Sequence, residues 1–166
     1  MCTCHLNRRA AAALLVGAGA TLLPGVGRAA EITALGITCM DYRLVEFAPA
    51  FFHDKNLTRH YDQVSLAGAA LAAVSDKFPE SNGAFWSHIN IAKQLHHIKK
   101  VIVVDHRDCG AYKMILGEPA VKDAETELKS HVKQLYAVRS AILVKHPHME
   151  VEIGLMALDG SVLQIV

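Results

Sequence analysis

The sequence predicts an α/β fold, a mostly parallel four-stranded sheet with an antiparallel fifth strand at its edge and helices on both faces. Segments of strand character alternate with helical segments, and such alternation produces right-handed crossovers and parallel strands. Residues 101–104 are four consecutive β-branched residues, which is typical of a central strand buried on both faces. Asp159-Gly160 is a two-residue hairpin signal, which predicts that the last strand is antiparallel.

The strands are predicted from short apolar runs that end at turns. In chain order they cover residues 31–39, residues 61–66, a segment that begins at Val101, residues 150–158 and residues 161–166. We expect the first and third strands to lie side by side with the second strand outside them. Their carboxyl ends would then flank a topological switch point, where open α/β sheets keep their sites.

The helices are predicted from apolar spacing and capping residues. They cover residues 44–53, residues 69–74, a segment capped by Ser81 or Asn82, and a long segment that begins at Asp123 and ends before Pro147. Acidic residues in the first turn of the long helix suit its dipole. The expected buried positions are Phe85, Ile89, Ala92 and Leu95 in the third helix and Leu128, Val132, Leu135, Val138 and Ile142 in the long one.

The composition fits one globular domain. Of 166 residues, 52% are hydrophobic and 20% are charged. The formal net charge of +1 lacks the basic footprint of a nucleic-acid-binding domain, so no nucleic-acid partner is expected.

The first thirty residues are predicted to be a signal peptide. Arg8 and Arg9 precede an apolar run at residues 10–23, and small residues follow it as a cleavage site. This run is shorter than the ~20 residues that span a bilayer, and the paired arginines favour twin-arginine export. The alternatives are ordinary secretion and an uncleaved anchor. We therefore expect residues 31–166 to form the mature domain, periplasmic or secreted, with no membrane partner after cleavage.

Two of the four cysteines lie in the predicted signal peptide, which leaves Cys39 and Cys109 in the domain. Cys39 is the last residue of the first predicted strand, and His106 and Cys109 lie at the carboxyl end of the third. Two thiols and an imidazole suit tetrahedral zinc, and three protein ligands leave one position open for water, as in catalytic sites. The alternative is a disulfide or a thiol redox pair between the two cysteines, since an exported protein can form one.

Asp41 and Arg43 are predicted to act beside this metal. Alternate residues at a strand end share a face, so Cys39, Asp41 and Arg43 would project together. The arginine would keep the carboxylate ionised and oriented. Asp41 would then either accept a hydrogen bond from the metal-bound water or occupy the fourth metal position itself, with Arg43 deciding between the two. A structural ion pair is the remaining alternative.

The two motifs together closely resemble those of the β-class carbonic anhydrases. They are Cys-x-Asp-x-Arg at residues 39–43 and His-x-x-Cys-Gly at residues 106–110, and the similarity covers most of residues 32–166. The resemblance implies a β-carbonic anhydrase-like fold with one zinc ion on Cys39, His106 and Cys109, and a dyad of Asp41 and Arg43. It implies reversible hydration of carbon dioxide to bicarbonate by a zinc-bound hydroxide. It also implies a homodimer or a higher homo-oligomer with the active-site cleft at the subunit interface.

Two departures from the family pattern leave the activity open. Tyr42 stands where a small residue is often found, and Ala69 stands where an asparagine is often found. The alternatives are a zinc-binding protein without hydratase activity and a hydrolase of carbonyl sulfide or carbon disulfide. Gly68 and Gly110 are turn glycines and candidate substrate-binding residues, because a glycine lets the backbone approach a pocket closely.

The remaining histidines of the domain are expected to be surface or packing residues. They are His53, His60, His88, His96, His97, His131, His146 and His148.

Overall fold

The computed structural model describes residues 31–166. The predicted signal peptide, residues 1–30, lies outside the described residues. Within the described range, none of the helices combines the length and the apolar character needed to cross a bilayer.

A five-stranded sheet forms the centre of the described chain. Its strands are β1 (Ala34–Thr38), β2 (Tyr61–Ser65), β3 (Lys100–His106), β4 (Glu150–Met156) and β5 (Val162–Ile165). They lie in the order β2-β1-β3-β4-β5, with β1 to β4 parallel and β5 antiparallel to β4. The predicted fold class is therefore confirmed, including the adjacency of the first and third strands. The first strand is shorter than predicted, because its ladder begins at Ala34 rather than at residue 31.

Helices cover both faces of this sheet. They are α1 (Phe47–Asp54), α2 (Ala70–Val74), α3 (Pro79–His96), α4 (Gly110–Leu116) and α5 (Ala124–Lys145), and two 3₁₀ turns cover Tyr42–Leu44 and Glu118–Ala120. Val101 and Val103 pack into the core with α2, α3 and α5, whereas Ile102 and Val104 pack with α1 and α4. Successive strand residues point to opposite faces, so the β-branched run fills two cores at once.

The third helix differs from its prediction at both ends. It begins at Pro79 rather than after Ser81 or Asn82, since proline is well tolerated in a first helical turn. Phe85 is buried, but Leu95 is 65% exposed, and its expected place in the core is wrong. At 3.6 residues per turn, Leu95 lies about 90° away from the centre of the buried face of this helix.

The long helix begins as predicted, because the Asp123 side chain accepts a hydrogen bond from the main-chain N–H of Thr126 at 2.8 Å. The buried positions of this helix were predicted correctly only in its later turns. In the first two turns the buried residues are Glu127 and His131, each one position before the predicted apolar residue. Two polar side chains therefore enter the interior beneath the predicted metal site.

Candidate metal centre

The three predicted metal ligands meet at the carboxyl end of the sheet. Cys39 directly follows β1, His106 is the last residue of β3, and Cys109 directly precedes α4. Since β1 and β3 pair in parallel, with Thr38 opposite Val104, both strands deliver their ends to one place. The two sulfurs and one imidazole nitrogen lie within 4.8 Å of one another, and all three residues are buried, so the set is able to hold a metal ion.

The two thiols of this cluster are free. Their sulfurs lie 4.0 Å apart, which argues against the disulfide alternative. The pKa of Cys39 is lowered to about 4, chiefly because the Cys109 thiol donates a hydrogen bond to its sulfur, and burial opposes this effect. The pKa of Cys109 is raised by the same contact and by burial. The cluster thus already stabilises one thiolate, which is the form of cysteine that binds metals.

The imidazole of His106 is fixed with one nitrogen facing the thiols. Its Nδ1 donates to the carbonyl oxygen of Arg107 at 2.8 Å, because a carbonyl can only accept. Its Nε2 is buried and has no hydrogen-bond partner in the described part of the chain. Burial lowers the pKa of His106, but hydrogen bonding and charge attraction from Cys39 outweigh it and raise the pKa overall. The environment that favours a proton on Nε2 also favours a metal cation there, so these residues fit a metal.

Asp41 is held by Arg43 at the edge of the cluster. The Oδ1 of Asp41 accepts from the Nε of Arg43 at 2.9 Å and from its main-chain N–H at 3.0 Å, and the Oδ2 accepts from Nη2 at 2.8 Å. These hydrogen bonds from Arg43 lower the pKa of Asp41 to about 2. The carboxylate is therefore ionised at neutral pH.

The route by which Asp41 reaches the site differs from the prediction. The strand ends at Thr38, so alternation along an extended strand does not place Asp41 and Arg43. Asp41 instead caps the 3₁₀ turn Tyr42–Leu44, and this turn folds Arg43 back over the carboxylate.

Arg43 also contacts the segment that carries the other two ligands. Its Nη1 donates to the Oδ2 of Asp108 at 2.7 Å, and its Nη2 donates to the Asp108 carbonyl oxygen at 2.9 Å. Asp108 has a φ of 55°, in the left-handed region. Sequence reasoning missed this residue, for which the one available signal was an acidic residue between the two ligands of the second motif.

The two predicted glycines occupy different positions around the cluster. The main-chain N–H of Gly68 donates to the sulfur of Cys39 at 3.3 Å, and the φ of this glycine is 71°. Gly110 begins α4 and, together with Cys109, lines a cavity of about 270 Å³. Gly68 thus contacts the sulfur of a predicted ligand, and the role of both glycines in substrate binding stays a prediction.

A buried polar network behind the ligands was not predicted. Asp105 accepts hydrogen bonds from the Tyr112 hydroxyl, from the Nδ1 of His131 at 3.0 Å and from the main-chain N–H of Ala70 at 2.9 Å. His131 is fully buried, so of the two predicted environments, surface or packing, it occupies the second. The pKa of Tyr112 is raised well above its ordinary value by burial first and by the charge of Asp105 second. The signal that sequence reasoning passed over was Asp105, an acidic residue that directly follows the apolar run at residues 101–104.

Comparison with known proteins identifies relatives of this chain. Residues 29–158 match a family model described as "Putative carbonic anhydrase". An uncharacterised protein of Rickettsia conorii is 37% identical over 135 residues, which cover 81% of this chain and 73% of that protein.

Solved structures with the same fold are also found. The β-carbonic anhydrase CafA of Aspergillus fumigatus superposes with a TM-score of 0.56 at 17% identity, covering 84% of this chain and 77% of that one. A tetrameric β-carbonic anhydrase of Sordaria macrospora superposes with a TM-score of 0.51 at 16% identity, covering 84% of this chain and 82% of that one.

Proposed function

Since this chain belongs to the family described as "Putative carbonic anhydrase" and has the fold of the β-carbonic anhydrases, we propose that it catalyses the reversible hydration of carbon dioxide to bicarbonate with one zinc ion per chain. One observation carries the proposal. Two sulfurs and an imidazole nitrogen lie within 4.8 Å of one another, and the Oδ2 of Asp41 lies 3.9 Å from that nitrogen. Ligands and an oriented carboxylate therefore occupy one small region.

We propose that Cys39, His106 and Cys109 hold the zinc. Sulfur and imidazole ligands suit this borderline-soft ion, and three protein ligands leave one position open. When bound, zinc supplies a Lewis acid that lowers the pKa of a coordinated water to about 7. Gly68 supports the site by donating its N–H to the sulfur of Cys39 at 3.3 Å. His106 is held in the required tautomer by its bond to Arg107.

Asp41 orients the nucleophile in this proposal. Because its pKa is about 2, the carboxylate only accepts hydrogen bonds at neutral pH. An oxygen nucleophile beside the three ligands would donate its hydrogen to Asp41 and so direct a lone pair at the carbon of the substrate. Arg43 holds both carboxylate oxygens, which opposes their movement onto the metal.

The proposal is tested on the purified full-length chain. Metal analysis should give one zinc per chain, and stopped-flow measurement with a pH indicator should give hydration well above the uncatalysed rate. Zinc at one per chain without hydration would overturn the proposed activity and leave a zinc-binding protein. Release of hydrogen sulfide from carbonyl sulfide or carbon disulfide, without hydration of carbon dioxide, would identify the hydrolase instead.

We propose further that the chain acts as a homodimer or a higher homo-oligomer. Three apolar side chains beside the metal centre, Met40, Tyr42 and Val45, are each at least 67% exposed. Exposed apolar groups of this kind are typical of protein contact surfaces, and the Sordaria macrospora relative is tetrameric. Light scattering coupled to size-exclusion chromatography tests this, and a monomer at all concentrations would contradict it.

The predicted signal peptide makes the periplasm or the exterior of the cell the proposed location. Replacement of both arginines at positions 8 and 9 by lysine should block twin-arginine export. Fractionation of cells that express the wild-type and variant chains tests this, and equal export of both would exclude the twin-arginine route.

A further inference from the structure

A row of buried polar side chains lies behind the metal centre. This polar row consists of Asp105, His131 and Glu127, which are 1%, 0% and 9% exposed. Burying polar and charged groups is unfavourable unless their hydrogen bonds are satisfied. The contacts at each end of the polar row therefore indicate which parts of the structure these buried side chains stabilise.

The Asp105 end is tied to the segment that supports Cys39. The Oδ1 of Asp105 accepts the main-chain N–H of Ala70 at 2.9 Å. Two residues earlier, the N–H of Gly68 donates to the sulfur of Cys39 at 3.3 Å. This end of the polar row thus anchors the turn that contacts the first metal ligand.

The Glu127 end is tied to the segment that carries Cys109. The Oε1 of Glu127 accepts the main-chain N–H of Asp108, and its Oε2 accepts from the Nη1 of Arg107 at 3.1 Å. Asp108 has a φ of 55°, in the left-handed region, which residues other than glycine rarely adopt although aspartate tolerates it better than most. The carboxylate of Glu127 therefore holds in place the turn at Asp108, whose backbone conformation is not favoured locally.

The same turn controls the dyad. The carbonyl oxygen and the side chain of Asp108 both accept hydrogen bonds from Arg43, at 2.9 Å and 2.7 Å. Arg43 in turn holds both oxygens of Asp41. A change in the Asp108 turn would consequently move Cys109 and the Asp41 carboxylate together.

His131 lies between the two ends of the polar row and is hydrogen-bonded to the Asp105 end. Its Nδ1 lies 3.0 Å from the Oδ2 of Asp105, and its Nε2 lies 3.9 Å from the Oε1 of Glu127. The ring of Tyr112 packs against the imidazole with 3.7 Å between centroids. Helix α5 thereby spans both ligand-bearing segments from behind.

We propose that Glu127 is a positioning residue of the metal centre, which sets Cys109 and Arg43 relative to Cys39 and His106 by holding the Asp108 turn. This inference rests on the proposed function in one respect, since it requires that the three ligands bind a metal. It does not require that the bound metal hydrates carbon dioxide.

The experiment measures metal binding by the full-length protein and its variants. Glu127→Ala removes the acceptor for the Asp108 N–H, and Glu127→Gln keeps an acceptor oxygen. The expected result is a zinc affinity lowered by about 10-fold or more in the alanine variant and largely restored in the glutamine variant. The absorption bands of the Co²⁺-substituted protein should shift in the alanine variant, because its ligand geometry changes.

Two matched controls separate positioning from loss of stability. Glu125→Ala removes an exposed acid of the same helical turn, which pairs with Lys129, and should leave zinc affinity unchanged. Val138→Ala weakens the packing of the same helix at a fully buried position and should lower thermal stability without shifting the Co²⁺ bands. An equal loss of zinc affinity in Val138→Ala and Glu127→Ala would overturn the proposal.

The remaining outcomes are also decisive. If the alanine variant does not fold, Glu127→Asp replaces it, since aspartate keeps the charge but is one methylene shorter. The proposal then expects Glu127→Gln to bind zinc more tightly than Glu127→Asp, and the reverse order would overturn it. Unchanged affinity in Glu127→Ala, with zinc bound to the wild type, overturns this proposal alone. A wild type that binds zinc without hydration overturns only the proposed activity, and one that binds no metal overturns both.

Discussion

The Nε2 of His106 lies 3.9 Å from the Oδ2 of Asp41, at the edge of the cluster formed with the two sulfurs. Asp41 is therefore close enough to influence whatever occupies the cluster. It does not turn freely, because three N–H groups of Arg43 hold its two oxygens. Arg43 thus restrains this carboxylate, which in the proposed mechanism keeps it available to orient a neighbouring oxygen and prevents it from becoming a metal ligand itself.

Replacing Arg43 with alanine should therefore lower the rate of hydration while zinc remains bound. The free carboxylate would compete for the open metal position, and the orienting hydrogen bond would be lost. We expect kcat to fall by about 10²-fold or more, the scale at which an oriented electrostatic group contributes. Stopped-flow hydration and metal analysis of the same sample check this.

The control for that experiment is Arg139→Ala, which removes a guanidinium from α5 at a partly exposed position away from the ligands. Its kcat should match that of the wild type. If the kcat of Arg43→Ala equalled that of the wild type, Asp41 would not need Arg43 to hold it in place.

Removal of the metal should destabilise the protein, and loss of one ligand should abolish this dependence. A ligand that binds only the folded state stabilises it by about 2.7 kcal/mol when its free concentration is 100 times Kd. Urea unfolding with and without zinc should show a gain of this size in the wild type. In Cys109→Ser the zinc content should fall well below one per chain and the gain should vanish.

The same measurement on Thr126→Ser, a conservative change at a partly buried position in the first turn of α5, provides the reference. It should keep the full gain from zinc. A full gain in Cys109→Ser as well would mean that Cys109 is not a ligand.

The sequence was sufficient to predict the sheet and the meeting of the ligands. The β-branched run at residues 101–104 identified the central strand, because four such residues in succession are typical of a strand buried on both faces. Because the first and third strands are parallel neighbours, Cys39 lies beside His106 and Cys109. These are local patterns combined with one general rule of topology.

The polar interior could not be predicted in the same way. Periodicity alone favoured Leu128 and Val132 for the buried face of the long helix, because it counts apolar residues as inside and charged residues as outside. The structure instead buries Glu127 and His131, whose partners Asp105 and the Asp108 N–H are distant in sequence. Such partners are known only once the fold has brought them together.

Gly36→Ala should destabilise the fold. A Cβ at this position of β1 would overlap the Cζ of Phe52 and lie 2.8 Å from its Cε1. The ring of Phe52 is fully buried and is stacked on Tyr61 at 4.3 Å between centroids. Since the ring has no room to withdraw, we expect a loss of about 1–3 kcal/mol in the free energy of unfolding. Urea denaturation measures it.

The matched control is Gly83→Ala in helix α3, where an added Cβ has no neighbour within 4 Å. Alanine has a higher helix propensity than glycine, so this variant should be stabilised by about 0.5–1 kcal/mol. Equal effects at the two glycines would contradict the crowding inferred around Phe52.

Glu152→Gln should reduce stability at neutral pH and much less in acid. Burial raises the pKa of Glu152, but ion pairs with Lys100 at 2.7 Å and Lys55 at 2.6 Å outweigh burial and lower it below its ordinary value of 4.5. A carboxyl group whose folded pKa is lowered contributes its full stability above the unfolded value and loses it as the pH falls through the folded value. The variant should therefore be about 1 kcal/mol less stable at pH 7, and this difference should shrink as the pH falls below 4.5.

Urea unfolding across this pH range measures the difference in stability. The control is Glu150→Gln, which changes the exposed partner of Lys100 and should alter stability little. A difference that widens in acid would mean that folding raises, rather than lowers, the pKa of Glu152.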